Sequence, residues 1–589
     1  MALRWGGAAK QEAIVKEADG NAGTSDIVDD LALEPAPPNI EHNVVDTNTT
    51  IDTTTASGET SSTSNGNGPV VLASTSDNNA PSFQNSFVWL NGTRLPNANE
   101  DLMTEEFVYN LIMNTAPLDT NDGSKDVLDQ TLCFEESPFM TWEEDRNTLK
   151  NANSTSKIIK DLAYRLAFLA LHENQLGPAR NEAMARRSIR DTNSSSSVLE
   201  KHNVGVFDYE CDPETKFVVT NHASGNGFGM TTRNQAVDQI NLAMGTGRVV
   251  LFMNKAPYGP AYVRAKHRGA SCGRGDLQCM FLPMSPCVLS KEDLENATEI
   301  SKEAHKSFLD TGKLDDELDK KKVITLQAGG YKDKEPPLLR ERYVKLISSF
   351  YEKSESSNVA WNLDEEVLDK VKEVIMTEPF LHDDVALNFM LRPNLAAQQE
   401  MARILNKVVP ADFNPESSIG LAIRASDKCR KESGCMPFSN YTQLIREFAA
   451  KRTLARTGDN TTNSSLYDTV VLTSESKEVM EGHFNYTEKE GFPFRFVVND
   501  EDTLQGIGKP LKYWGKEIKP DRVMLSSLTA IKMQMLSEST VLNGCSSFHR
   551  IMTSLLNMGC SKSKNNYVEN LSNNDNPAFR MRCGMSIKR

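Results

Sequence analysis

From residue 216 onward, short apolar runs alternate with longer stretches in which apolar side chains recur every three or four positions. KFVVT (216–220) reads as a buried strand, NHASGNGFGMTT (221–232) as a Gly-rich turn, RNQAVDQINLAMG (233–245) as a helix closed by Gly245, and RVVLFM (248–253) as a second strand. Strand, loop, helix and strand in that order belong to a parallel α/β sheet. The same alternation fills the final third. IGLAIRA (419–425), YDTVVLT (467–473), FRFVVN (494–499) and TVLN (540–543) read as strands. YTQLIREFAAKRT (441–453), SKEVMEGHF (476–484), SSLTAIKMQMLSES (526–539) and SSFHRIMTSLLNMG (546–559) read as the helices between and after them. Four strand–helix steps predict a small doubly wound sheet, and such sheets bind ligands at the carboxyl ends of their strands.

The stretches before and between these units are of other kinds. STSKIIKDLAYRLAFLALHENQ (154–175) places Ile158, Leu162, Leu166 and Leu169 near a 3.6-residue period behind a Ser/Thr cap region, which predicts a helix. Residues 336–406 are largely helical by the same criterion, EEVLDKVKEVIM and NLAAQQEMARILNKV most clearly. Residues 20–100 are rich in Asn, Ser, Thr, Asp, Gly and Pro and have almost no apolar periodicity. Such a composition cannot bury enough surface to offset its ordering entropy, so a disordered tail or stem is expected. DTNSSSSVLEKHN (191–203) reads as a linker or loop. The resulting division is a mostly disordered segment over 1–130, a helical and open α/β region over 131–410, and a C-terminal doubly wound domain over 411–589.

Composition narrows the function. A chain of 589 residues is long enough for two or three domains. Its formal net charge of −15 argues against nucleic acid or an anionic membrane as main partner. No apolar run approaches the about 18 residues of a membrane span, and MALRWGGAAKQEAIVKEADG lacks the apolar region of a signal peptide, so membrane association is expected only through a segment outside this sequence. Of ten cysteines, Cys272, Cys279, Cys287, Cys429 and Cys435 fall in two short clusters, a pattern that suits either secretory disulfides or buried thiols. The spacing of Cys272 and Cys279 does not suit zinc. Asn-x-Ser/Thr acceptors recur, for example at Asn91, Asn296, Asn440, Asn463 and Asn485, in keeping with a lumenal protein.

The stretch with the most chemistry is GLAIRASDKCRKESGCMPF (420–438), where Arg424, Asp427, Lys428 and Glu432 follow directly on a core strand. Charges there stand at the binding edge of a doubly wound sheet rather than on a solvated helix face. At the sheet's last step, NGCSSFHR sets Ser546 and Ser547 at the start of a helix, where hydroxyls and backbone N–H groups favour an anion, although an ordinary Ser cap has the same sequence. The loop with Gly225, Gly227, Phe228 and Gly229 allows close backbone approach to a ligand, although alone it is as easily a tight turn.

The order of these pieces resembles the GDP-fucose-dependent α-1,6-fucosyltransferases of glycosyltransferase family 23. FMLRPNLAAQQEMARILNKV followed by SSIGLAIRASDKCRKESGCMPF is similar to the family's helix after L-I-R-P and its strand ending G-V-H-V-R-R-T-D-K, with a Glu four residues beyond the Lys. GNGFGMTTRNQAVDQINLAMGTGRVVLF, YDTVVLTSES and LSESTVLNGCSSFHR fit further pieces in the same order, over about residues 215–560. The family's His two residues before the Arg is Ala422 here, its second Arg is Ala425, and an Asp of a later helix falls at Lys532. The resemblance implies a GT-B-like fold, an open α/β region followed by a Rossmann-like nucleotide-sugar-binding domain. It also implies GDP-fucose as donor, a glycoprotein or oligosaccharide acceptor such as N-glycan GlcNAc, no cofactor and no metal, and a Golgi or other secretory-lumen location. Carried over residue by residue, Arg424 stabilises the departing phosphate, Glu432 is the base, Lys428 holds or balances Glu432, and Asp427 orients its cationic neighbours. Donor contacts then come from Arg424, Asp427, Gly225, Gly227, Phe228, Gly229, Ser546 and Ser547.

Two other readings belong to different classes. Asp500 and Asp502 in FRFVVNDED follow a strand in a D-x-D arrangement that could hold Mn²⁺ or Mg²⁺ beneath a diphosphate, as in a metal-dependent glycosyltransferase. Ala422 and Ala425, in place of two donor-site residues, suit a non-catalytic sugar-nucleotide or glycan-binding relative on the same fold.

Overall fold

The apolar runs become the inner strands of two parallel sheets. The structure is a computed structural model and describes chiefly residues 148–192, 209–220, 236–252, 281–326, 337–357, 363–425, 436–458, 466–476, 492–499, 520–558 and 567–571. Most of the expected disordered tail and of the 191–203 linker lies outside the described residues, but within the tail Phe87–Val88 and Leu95–Pro96 pair as two short antiparallel strands where no structure was expected. No helix among the described residues is long and apolar enough to cross a membrane.

In chain order the main elements are α1 (Lys157–Leu176), α2 (Arg180–Thr192), β1 (Phe217–Thr220), α3 (Val237–Gly245), β2 (Val249–Phe252), β3 (Thr298–Ile300), α4 (Lys302–Thr311) and β4 (Val323–Leu326). Four helices follow: α5 (Pro337–Ser357), α6 (Glu365–Thr377), α7 (Leu381–Met390) and α8 (Leu395–Val408). The last third holds β5 (Ser418–Ile423), α9 (Phe438–Thr457), β6 (Thr469–Ser474), β7 (Arg495–Val498), α10 (Pro520–Met535), β8 (Ser539–Leu542), α11 (Ser547–Asn557) and β9 (Tyr567–Asn570).

The first sheet has the order β2-β1-β4-β3 and the second β9-β8-β5-β6-β7, every pairing in both being parallel. This is an open α/β region followed by a doubly wound one, the GT-B-like plan expected from the sequence. Strands β5, β6 and β8 are buried on both faces, which is why they read as continuous apolar runs instead of alternating. At the centre of the second sheet, a Cβ on Gly420 would lie 2.5 Å from Oε1 of Gln534. The Gln534 amide donates to the Val471 carbonyl (3.1 Å) and to the Thr473 hydroxyl (2.9 Å), so α10 is pinned to β6 across a position that only Gly can leave open.

In the two parallel sheets, three strands went unforeseen. β3, β4 and β9 are three or four residues long, and TEI and YVEN carry too few apolar residues to stand out from loop sequence. The helix before β2 ends as predicted at Gly245, but the left-handed residue after it is Gly247, with φ 67°. One core joins the helices of the first region (α1, α3, α5, α6 and α7) to α10, α11 and Ala422 of the second. A smaller core on the other face of the second sheet packs α9 against β5 and β6.

At the amino end of the second sheet, fully buried Glu538 accepts from Arg452 (2.7 Å), from the Tyr467 hydroxyl (2.8 Å) and from the Ser539 hydroxyl. The Arg452 guanidinium also lies 4.4 Å from the Tyr567 ring centroid. This network fastens α9 to β8 and β9 at the edge away from the strand ends discussed next.

Candidate functional site

In the second sheet the chain starts at the central strand β5, runs outward through β6 to β7, and returns to the other side of β5 for β8 and β9. The order therefore reverses between β5 and β8, and the crevice of a doubly wound fold opens at the carboxyl ends of that strand pair. Arg424 is the first residue beyond β5, Glu475 the first beyond β6, and Asn543 to Ser546 link β8 to α11.

Arg424 and Glu475 form an ion pair, Nη1 to Oε1 at 3.0 Å, with side chains 18% and 17% exposed. The Ala425 N–H donates to the same carboxylate oxygen at 3.0 Å. Burial pushes the Glu475 carboxyl above its ordinary pKa, while the Arg424 charge and these hydrogen bonds oppose the shift. The pair is thus largely desolvated, and each partner lowers the cost of burying the other.

Beside these strand ends, α11 begins directly after the short link from β8. Ser546 has the extended backbone of an N-cap, yet its side chain caps nothing, and its buried Oγ has no hydrogen-bond partner. The approach to α11 is rigid: the Cys545 N–H donates to Oδ1 of Asn543 (3.0 Å), Arg550 Nε donates to the Gly544 carbonyl (2.7 Å), and Cys545 is disulfide-bonded. His549, in the first turn of α11, accepts the Asn543 N–H on Nδ1 at 3.1 Å, which leaves the proton of the neutral ring on Nε2. Burial and then the Arg424 charge push its pKa down to about 3, so the imidazole is neutral at physiological pH. Gly229, of the Gly-rich stretch, packs on the same helix end. A Cβ on Gly229 would stand 2.6 Å from the Phe548 backbone nitrogen and 2.7 Å from the Ser547 carbonyl carbon, so this contact requires glycine.

Of the residues singled out in the sequence, the structure brings Arg424, Gly229, Ser546 and Ser547 to one strand edge and one helix end. Asp427, Lys428, Glu432, Gly225, Gly227, Phe228, Asp500 and Asp502 lie outside the described residues, as do Cys429 and Cys435. Ala422 is buried in the larger core and Ala425 is half-buried. Lys532 is buried in the last turn of α10, just before the chain enters β8 at its amino end. Arg392 of the Arg-Pro pair is packed into the fold: its Nε donates to the Phe389 carbonyl (2.8 Å), its guanidinium lies 3.8 Å from the Phe389 ring centroid, and burial lowers its pKa to about 9. Two site residues escaped the sequence reading. Glu475 carried the same signal as Arg424, a charge directly after a buried strand, whereas His549 carried none beyond its place in a first helical turn.

Fold and strand ends together define an α/β protein with two parallel sheets and, at the switch point of the second, an Arg–Glu ion pair beside a buried helix start. No family model and no curated protein matches the chain. Among solved structures, the chain is similar to a point mutant of Arabidopsis thaliana FUT1 in complex with GDP, at 11% identity and a TM-score of 0.31, covering 64% of this chain and 77% of that one. It is also similar to the fucosyltransferase NodZ from Bradyrhizobium, at 11% identity and a TM-score of 0.28, covering 58% and 93%. A third is POFUT1 in complex with GDP, at 10% identity and a TM-score of 0.28, covering 61% and 99%.

Proposed function

We propose that the chain is a glycosyltransferase that moves fucose from GDP-fucose to a glycan hydroxyl with inversion and without a metal, the N-glycan core GlcNAc and an α-1,6 linkage being the acceptor and product that the sequence resemblance favours. The observation that carries the reading is the meeting of Arg424, at the end of the central strand, with the amino end of α11, where the buried Ser546 hydroxyl has no partner. A guanidinium and a helix N-terminus on adjacent strand ends suit a diphosphate, which carries two negative charges and many acceptor oxygens. When the sugar departs, a further charge develops on the β-phosphate, and a fixed guanidinium stabilises it with paired hydrogen bonds. In this reading Glu432, in the segment joining β5 to α9, takes the proton of the acceptor hydroxyl, with Lys428 beside it and Asp427 orienting the cations. The hydroxyl attacks in line from the face opposite the phosphate, so β-linked fucose becomes α-linked. Secretory lumen is the proposed location.

Turnover of GDP-fucose on a glycan array, with and without EDTA, tests this. Metal-insensitive transfer that Glu432→Gln lowers by roughly 10²–10⁴-fold, at nearly unchanged GDP affinity, is expected for loss of a general base. Full activity in that variant removes Glu432 from the role. Transfer abolished by EDTA favours the D-x-D reading at Asp500 and Asp502, and GDP binding with no transfer to any acceptor favours a binding protein.

A further inference from the structure

Asn296-Ala297-Thr298 is an Asn-x-Thr acceptor on the turn between the short helix Lys291–Glu295 and β3. Asn296 is the exposed C-cap of that helix, with φ −89° and ψ 4°. Thr298 opens β3, which is three residues long and the outermost strand of the first sheet. A second observation concerns the compartment. Cys287, in the segment just before that helix, is bonded to Cys211, and Cys545 is disulfide-bonded as well. Structural disulfides form and persist in oxidising compartments, where Asn-x-Ser/Thr sites are also modified.

The two other acceptor sites whose Asn and hydroxyl residues are described have different surroundings. Asn440 stands in the first turn of α9, half-buried, next to buried Tyr441, and the hydroxyl of its own site, on buried Thr442, donates to the Ser439 carbonyl at 2.7 Å. Asn153 is exposed, but its amide oxygen accepts the Thr155 hydroxyl at 2.8 Å.

We propose that Asn296 carries an N-linked glycan. The donor class is a lipid-diphosphate-linked oligosaccharide. The Asn296 amide nitrogen bonds to C1 of its first sugar, the C1–O bond to phosphate breaks, the amide gives up one proton, and the lipid diphosphate leaves, with no change of oxidation state. A hydrated sugar at this exposed turn stands beside the outer edge of β3, which pairs with no other strand among the described residues, and bulk there hinders strand pairing with another chain. The proposal rests on the exposed acceptor and the disulfides, not on the fucosyl-transfer reading, so either can fail alone.

The test is peptide mass spectrometry on full-length protein from its own cells, released with an N-glycan amidase in heavy-oxygen water. Conversion at position 296 to labelled aspartate is expected. Asn296→Gln and Thr298→Ala should each remove the same gel-mobility increment, and Thr298→Ser should retain it, which separates glycosylation from a change in folding. Recovery of the 296 peptide as unlabelled asparagine, with mobility unchanged in both variants, overturns the proposal.

Discussion

Arg424 illustrates how a pair of side chains changes what a single one is expected to do. An arginine at a site edge, taken from the sequence alone, should be removable with little effect on stability. The structure instead pairs it with a carboxylate that is mostly buried. Arg424→Ala should weaken GDP binding by about 2–3 kcal/mol, the loss of a charge-assisted contact to phosphate. It should also cost stability, because Glu475 is left without its counter-charge. The sign with pH follows from the raised folded-state pKa of Glu475, which the loss of Arg424 raises further. A carboxyl with a raised folded pKa favours the folded state most at low pH and loses that contribution as pH rises through the folded value. Denaturant titrations should therefore show the Arg424→Ala deficit growing as pH rises above the ordinary carboxyl range. Glu475→Gln separates geometry from charge. Removing a negative charge should tighten GDP binding if only the local field matters. If Glu475 holds the guanidinium in place, calorimetry should find weaker binding and a lowered kcat, with partial recovery in Glu475→Asp.

At the scale of the element, α1 carries the clearest pH signature. Burial raises the carboxyl of Asp161 from 3.8 to about 6, against the opposing charges of Lys157 and Arg165. The folded state thus holds a proton over a range where the unfolded chain has released it, so this group's contribution falls as pH climbs from about 4 to about 6. The full difference is about 3 kcal/mol, at 1.36 kcal/mol per pKa unit. Asp161→Asn keeps the shape without the titration, and should be more stable than the parent above pH 7 and nearly equal to it at pH 4. Equal stability of the two proteins at every pH would show that Asp161 is solvated in the folded state. Element scale is also where the sequence was most legible. Helices such as α1, α6 and α8 announce themselves by a repeated apolar stripe, and β5, β6 and β8 by apolar runs that need no alternation because both faces are covered. Edge strands such as β3 and β9 cover less and carry a weaker pattern. The site was legible where chemistry follows directly on a buried strand, as at Arg424. It was not legible where it depends on contacts between distant segments: Gly229 against Phe548 spans more than three hundred residues, and no local spacing encodes the Arg424–Glu475 pair.

For the whole molecule, the arrangement raises the question of whether the two sheets act as one with respect to ligand. Gly229 follows a strand of the first sheet, Arg424 and α11 belong to the second, and a common core runs through the helices of both. A ligand held at the α11 end therefore rests on chain from both regions. Cys211 precedes β1 and Cys287 precedes the short helix before β3, so the bond joins two entries into the first sheet, whereas Gly229 lies beyond the carboxyl end of β1. The bond joins positions 76 apart, which in the chain-entropy account stabilises by about 4.5 kcal/mol through the unfolded state. Binding to the folded state alone adds about 2.7 kcal/mol at ligand one hundred times its Kd. Effects at separate sites that share no partners add. A Cys211→Ala, Cys287→Ala double variant tests this more cleanly than a reductant, which would also open the disulfide at Cys545 beside the site. Thermal and denaturant unfolding of that variant should show a large loss of stability without ligand and the same increment on adding GDP as the parent. If the GDP increment disappears with the clasp, the first sheet's amino end is coupled to the crevice, and the two regions bind ligand as a single mechanical unit.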